Sequence, residues 1–176
     1  QSLVDNLPEL DGIVLNAGVL KTVPIKFVKE EMLKEVFSVN IFSSFLLIQG
    51  LIKQKKIRDG GSICLISSTS SNNAQFGNSI YSATKGAVNS FTKSMALELA
   101  PKSIRVNAIL PAYVETNILS NGRISDDQLA SHLKNFPLGR FGKPGDIAHL
   151  AVYLLSDASA WMTGSLLTID GGFSIK

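Results

Sequence analysis

Short apolar runs alternate with longer stripes of helical period along the whole chain. Gly12-Ile13-Val14-Leu15-Asn16 predicts a short strand ending at Ala17-Gly18. From about Lys29 to Gln54, Met32, Leu33, Val36, Phe37, Phe45, Leu46 and Ile52 recur at helical spacing and predict a long helix. Gly60-Gly61 punctuates, and Ser62–Ser67 reads as a buried strand. A polar loop, Ser68 to Asn78, leads into a second long helix from about Ser79 to Ala100, stopped by Pro101. Ile104–Leu110 predicts a strand stopped by Pro111. An irregular stretch, Ala112 to Ser125, precedes a short amphipathic helix expected around Asp126–Asn135. Asp146–Ser156 predicts a helix with Ile147, Leu150, Ala151, Leu154 and Leu155 on one side. Ser165–Asp170 predicts the last strand, closed by Gly171-Gly172.

Strands alternating with helices imply parallel pairing through crossover helices, right-handed by the general rule. The expected class is α/β, a doubly wound, Rossmann-like parallel sheet with helices on both faces. Neither a repeat nor a Pro/Gly/Ser-rich linker divides the chain, and 176 residues suit a single domain, 1–176. In such sheets ligands bind beyond the carboxyl ends of the strands. Those ends are Asn16, Ser67/Ser68, Leu110/Pro111 and Asp170.

Composition narrows the class further. With 45% hydrophobic and 18% charged residues the chain can bury a core and does not read as disordered. A net charge of +3 is too small for a nucleic-acid footprint. The one cysteine, Cys64, sits in the run Ser62-Ile63-Cys64-Leu65-Ile66 and is expected to be a buried, inert thiol. No disulfide can form within the chain, no sequon occurs, and no His/Cys cluster has metal-ligand spacing, so no metal is expected. A reducing, cytoplasmic setting fits these features. No apolar run reaches the roughly 18 residues that span a bilayer, so no membrane partner is expected. The chain starts with Gln and shows no signal peptide.

Candidate chemistry gathers at the predicted strand ends. Tyr81 and Lys85 lie four apart on a helix and share a face. Ser67 and Ser68 end a strand just before that helix. Asn40 sits inside the first long helix, although Asn is a mediocre helix former. A carbonyl reduction needs a hydride donor, an acid for the developing alkoxide and hydrogen bonds on the oxygen. A phenol is a poor acid–base group at neutral pH, but a neighbouring ammonium favours the phenolate. Tyr81 would then be the acid for reduction and the base for oxidation. The Ser68 hydroxyl can donate and accept, which suits it to hold the substrate oxygen. Strand alternation lets only one of Ser67 and Ser68 face such a site.

Asn16-Ala17-Gly18, Asn40, Ser68, Tyr81-Ser82-Ala83-Thr84-Lys85, Pro111 with Thr116, and Thr168-Ile169-Asp170-Gly171-Gly172 occur in this order. With these residues the chain resembles the short-chain dehydrogenase/reductase family over essentially its whole length. Within it, the chain looks most like the 3-oxoacyl-[acyl-carrier-protein] reductases and related carbonyl reductases. The resemblance implies an oxidoreductase moving a hydride between NAD or NADP and a carbonyl or secondary alcohol. It selects Ser68, thirteen positions before Tyr81, and implies Asn40, Ser68, Tyr81 and Lys85 as the catalytic set. Lys85 would also bond the nicotinamide ribose hydroxyls, and the Asn40 backbone would hold a relay water. Asn16, Ala17 and Gly18 would let backbone approach the cofactor. Pro111, Val114 and Thr116 would border the nicotinamide, where Ala112 stands in place of the family's usual Gly. Leu119 to Phe136 matches the family's substrate lid. Relatives pair through the two long helices, so a homodimer or homotetramer is implied, with the apolar tail Leu166–Ile175 suited to a second interface.

Other residues read more plainly. Ser70 and Ser71 are expected to be solvated loop residues, His132 and His149 structural or solvated, and Trp161 and Met162 packing residues. Lys53-Gln54-Lys55-Lys56-Ile57-Arg58 is expected to be a solvated helix cap. Gly139-Arg140-Phe141-Gly142-Lys143-Pro144-Gly145 is glycine-rich, but lacks the preceding strand of a phosphate loop. No Gly-rich strand-to-helix turn for a pyrophosphate occurs. By resemblance Gly12–Asn16 matches the fourth strand of the family's sheet, so an N-terminal βαβ part of about 60 to 80 residues is expected to be missing. The first strand would then show an open edge. The alternative function is a non-catalytic scaffold or interaction domain of the same fold that binds no cofactor.

Overall fold

The computed structural model describes residues 2–116 and 131–175, with side chains from Val4 onward. Four strands, β1 (Leu10–Leu15), β2 (Ile57–Ile66), β3 (Arg105–Pro111) and β4 (Leu166–Ile169), form one sheet in that order. Every pairing is parallel. A short helix α1 (Ser2–Asp5) precedes β1. One continuous helix, Glu30–Lys53, crosses from β1 to β2. It comprises α2 (Glu30–Phe37), a π-helical turn Ser38–Phe42 and α3 (Ser43–Lys53). Helix α4 (Ser79–Leu99) crosses from β2 to β3, and α5 (Pro144–Leu155) lies between β3 and β4.

Period-two alternation on the inner strands explains the two packed faces. Ile63 and Leu65 of β2, with Val106, Ala108 and Leu110 of β3, pack against Ile41, Ile48 and Leu51 of the first long helix and Val88, Met95 and Leu99 of α4. Cys64 and Ile109 point the other way, onto Ala151 and Leu154 of α5. The sheet is therefore doubly wound, with helices on both faces. Cys64 is fully buried, and desolvation pushes its thiol up to about 12, as expected of an inert cysteine.

Three expectations need correction. Gly60-Gly61 does not end an element. Strand β2 starts at Ile57 and runs through both glycines, because the pairing jumps from Leu10↔Ile57 to Gly12↔Ser62. Gly60 takes φ +82°, and a Cβ on Gly61 would lie 2.9 Å from the Arg58 carbonyl, so both positions need glycine. By length and composition alone, the 24-residue helix Glu30–Lys53 could cross a membrane. Its buried residues are Val36, Asn40, Ile41, Ser44, Ile48 and Leu51, of which Ile41, Ile48 and Leu51 pack in the core against the sheet. Trp161 does not pack, because its side chain is fully exposed. The helix expected at Asp126–Asn135 lies mostly outside the described residues, which are helical only over 131–133. Strand β1 pairs only with β2 among the described residues, so its other edge is open.

Candidate active site

The π-turn explains how Asn40 fits a helix. The Ser43 N–H bonds to the Ser38 carbonyl, one residue further than in an α-helix, which marks a bulge of the kind found at functional sites. Asn40 is buried, and its amide is fully used. Its Oδ1 accepts from the Val19 N–H at 2.8 Å, and its Nδ2 donates to the Val19 carbonyl and to Thr84 Oγ1, each at 3.0 Å. Thr84 Oγ1 donates in turn to the Tyr81 carbonyl at 2.7 Å. One amide thus ties the segment after β1 to the N-terminal part of α4.

Past β1, Asn16, Ala17 and Gly18 are exposed. A Cβ on Gly18 would stand 3.6 Å from Lys85 Nζ and 3.8 Å from Asn40 Oδ1. Glycine leaves an open ledge beside that ammonium, and a ligand backbone or ring can approach it closely. Lys85 is only 4% exposed and donates to the Ile66 carbonyl at 2.8 Å. Among the described residues no carboxylate pairs with it. Burial pulls its ammonium down to about 8. Lysines are almost never buried unpaired, which makes Lys85 a candidate ligand-binding group.

Lys85 Nζ lies 5.6 Å from the centre of the Tyr81 ring. The Ser68 side chain lies within reach of the Tyr81 hydroxyl. Burial raises the phenol above its ordinary value, and Ser68 pulls it partly back. The Lys85 ammonium was expected to lower this phenol; instead burial dominates and raises it. Ser67 faces elsewhere, with its hydroxyl 2.6 Å from Asn89 Oδ1 and 3.1 Å from the Lys85 carbonyl. The structure therefore brings Ser68, Tyr81, Lys85, Asn40 and Gly18 together. A phenol, a hydroxyl and an ammonium meeting at a strand end can hold an oxygen and move a proton to or from it.

The segment after β3 stands beside this cluster. Pro111 is buried as the last residue of β3, Val114 forms an isolated bridge with Gly142, and Thr116 is exposed. Ala112 has no positive φ, so its methyl causes no backbone strain. Tyr113 stands near the Gln75 side chain of the loop after β2, which partly offsets the effect of burial on its phenol. Gln75 accepts from Asn78 Nδ2 at 2.8 Å, and Asn78 accepts from Thr22 Oγ1 at 2.9 Å. These links join three loops around the strand ends, and nothing in their sequence periodicity signals them. The glycine-rich segment at 139–145 serves structure: Gly142 exchanges backbone bonds with Tyr113 and Glu115.

Several bland readings also change. Ser70 is buried and Ser71 half-buried with a bonded hydroxyl, so neither is a solvated loop residue. His149 is exposed, as a solvated residue would be, and His132 packs against Tyr113 with ring centres 5.3 Å apart, as a structural one would, so both readings stand. In the basic run, Lys56 caps the Asp5 and Leu7 carbonyls and Arg58 pairs with Asp11. Among the described residues no group of His, Cys, Asp or Glu could hold a metal.

A family model described as enoyl-(acyl carrier protein) reductase matches residues 1–174. The chain is 36% identical over 173 residues to an uncharacterized oxidoreductase of Methylorubrum extorquens, covering 98% of this chain and 69% of that protein. It is 34% identical over 175 residues to a 3-oxoacyl-[acyl-carrier-protein] reductase of Thermotoga maritima, covering 99% and 70%. A crystal structure of a short chain dehydrogenase family protein from Francisella tularensis subsp. tularensis SCHU S4 matches with TM-score 0.90 and 37% identity, over 99% of this chain and 75% of that one. A 4-hydroxyisoleucine dehydrogenase complexed with NADH matches with TM-score 0.83 and 32% identity, over 94% and 70%.

Proposed function

Because the chain belongs to the short-chain dehydrogenase/reductase family and so to its oxidoreductases, we propose that it acts on a carbonyl or secondary alcohol with NAD or NADP. One observation carries the reading: the buried Lys85 ammonium, unpaired by any described carboxylate, lies beside the Tyr81 ring, with the Ser68 side chain within reach of the Tyr81 hydroxyl. A nicotinamide cofactor is supported by the NADH named with the 4-hydroxyisoleucine dehydrogenase. A 3-oxoacyl substrate is supported by the reductases that the chain resembles.

When bound, the nicotinamide supplies or accepts the hydride. Ser68 holds the substrate oxygen. Tyr81 gives that oxygen its proton in reduction and takes it back in oxidation. Lys85, with Ile66 holding one of its protons, turns the others toward the ribose hydroxyls. Asn40 keeps Val19 and Thr84 in place, so that Asn16, Ala17 and Gly18 line the cofactor side, and its backbone suits a relay water. Pro111, Val114 and Thr116 border the carboxamide. The ribose, carboxamide and relay-water roles rest on the family resemblance, and the Ser68, Tyr81 and Lys85 roles also on their arrangement in the structure.

A second copy of this chain is the partner we assign to the exposed apolar face of the first long helix, Phe42, Phe45 and Leu46. Phe45 stacks on Phe91 of α4 with ring centres 3.6 Å apart, so the face spans both long helices. A homodimer through it, and a homotetramer through the tail near the exposed Ile175, follow. The lone buried thiol suits a reducing, cytoplasmic compartment.

The test is reduction of a simple ketone and a short 3-oxoacyl thioester with NADH and NADPH. Tyr81→Phe should lower turnover about 10²–10⁴-fold. Undiminished turnover in that variant overturns the assignment. A folded protein that binds neither cofactor supports the non-catalytic scaffold instead.

A further inference from the structure

A chain of hydrogen bonds runs beneath Ser68, and no candidate role includes its central residue. Asn89 lies on α4, one turn beyond Lys85 and two beyond Tyr81, and is buried. Its Nδ2 donates to Ser71 Oγ at 2.8 Å. The Ser71 hydroxyl donates to the Ser68 carbonyl at 2.7 Å. On the other side the Ser67 hydroxyl reaches Asn89 Oδ1 at 2.6 Å. The bonds run in one direction: the Ser67 hydroxyl to Asn89 Oδ1, the Asn89 Nδ2 amide to Ser71 Oγ, and the Ser71 hydroxyl to the Ser68 carbonyl. Both sides of the serine pair are thereby fastened to the helix that carries Tyr81 and Lys85.

We propose that Asn89 is a positioning residue, which acts through Ser71 to hold the turn at Ser68 so that the Ser68 hydroxyl meets Tyr81. The idea rests on the reading of Ser68 and Tyr81 given above. The turn is a 3-10 helix, Thr69–Ser71, whose N-cap is Ser68 itself. Ser68 Oγ accepts from the Ser70 N–H at 3.1 Å, which leaves the hydroxyl proton free to point outward. Ser68 is thus pinned by its carbonyl and its Oγ, and both pins depend on where Ser71 sits. The two links of Asn89 are unequal. If Oδ1 were lost, Ser67 would still have the Lys85 carbonyl at 3.1 Å. If Nδ2 were lost, the described contacts offer Ser71 no other donor from α4. The donor half of the amide is therefore the part that matters.

The test needs no turnover. The titration of Tyr81 is followed by carbon NMR of labelled tyrosine, with Tyr81→Phe to assign the signal. Exchange of the Ser70 amide is measured in the same samples. Asn89→Ala should raise the Tyr81 midpoint, because Ser68 no longer sits where it pulls the phenol down. Ser70 exchange should speed up about 5–10-fold. Ser71→Ala should move both in the same direction, Ser67→Ala neither, and the Asn89/Ser71 double variant no further than Asn89→Ala alone. An Asn89→Ala protein that is less stable but keeps the wild-type midpoint and exchange rate overturns the proposal. So does additivity in the double variant. Should Asn89→Ala not fold, Ser71→Ala decides alone, because it removes only the last link from a half-buried loop position. If Tyr81→Phe keeps full turnover, the functional assignment fails while the titration result stands by itself.

Discussion

Replacing Asn40 by Ala separates its tertiary role from its poor helix propensity. The variant loses the bonds to the Val19 N–H, the Val19 carbonyl and Thr84 Oγ1. Hydrogen bonds of this kind contribute about 0.5–1.5 kcal/mol each, and a donor left buried costs about 1–3 kcal/mol. Val19 is only half-buried, so water repairs part of its loss and the low end of each range applies. That puts the loss at about 2–3 kcal/mol. Alanine returns at most about 0.7 kcal/mol in helix propensity. The net expectation is about 2 kcal/mol of destabilisation, or a Tm lower by about 4–8 °C at this chain length. Urea unfolding should show a lower midpoint with an unchanged slope. A change below about 0.5 kcal/mol would refute the idea that Asn40 ties the segment after β1 to α4, and would leave the π-turn without a cause.

Other substitutions probe charge and association. Lys85→Met should raise the Tm at pH 7. Burial holds the Lys85 ammonium at about 8 against its ordinary 10.5, so the unfolded chain binds more protons between those values. Stability of the wild type from this group therefore rises with pH over that window. The advantage of Lys85→Met should shrink between about pH 8 and 10.5, and a constant difference would count against a buried, unpaired ammonium. Oxidation by Tyr81 should climb with pH above the ordinary phenol value, since burial raises that group. Ser68→Ala should move the rise further alkaline in a pH–rate profile. Phe45→Glu with Leu46→Glu should give a monomer by light scattering, and an unchanged oligomer would remove the assigned interface.

How much of this was legible in sequence depends on what decides each feature. Strands β2 and β3 are buried on both faces and leave continuous apolar runs, so they read directly, as did the helix stripes. The strand ends pointed to Gly18 and the Ser67–Ser68 pair, and the family resemblance joined Asn40, Ser68, Tyr81 and Lys85 into one set. The π-turn was not legible, because Ser38–Phe42 carries no pattern that separates it from an α-helix. It depends on Asn40 reaching Val19, twenty-one residues away. Gly60-Gly61 misled because glycine marks a bulge as readily as a turn. Asn89 and Ser71 were missed because a polar residue on a helix face looks solvated until its partner loop folds onto it. One signal was available: Tyr81, Lys85 and Asn89 recur at four-residue spacing on one face of α4.

The central claim is that Lys85, Tyr81 and Gly18 form the nicotinamide–ribose side of a dehydrogenase site. Reduced nicotinamide mononucleotide tests it most directly, because that probe needs no pyrophosphate turn or adenosine pocket. Titrated into the protein under NMR, it should saturate at about millimolar concentrations. It should shift the resonances of Gly18, Tyr81 and Lys85, and lose that binding in Lys85→Met. Saturation that leaves these three residues unshifted, or no interaction at all with the folded protein, would contradict the account.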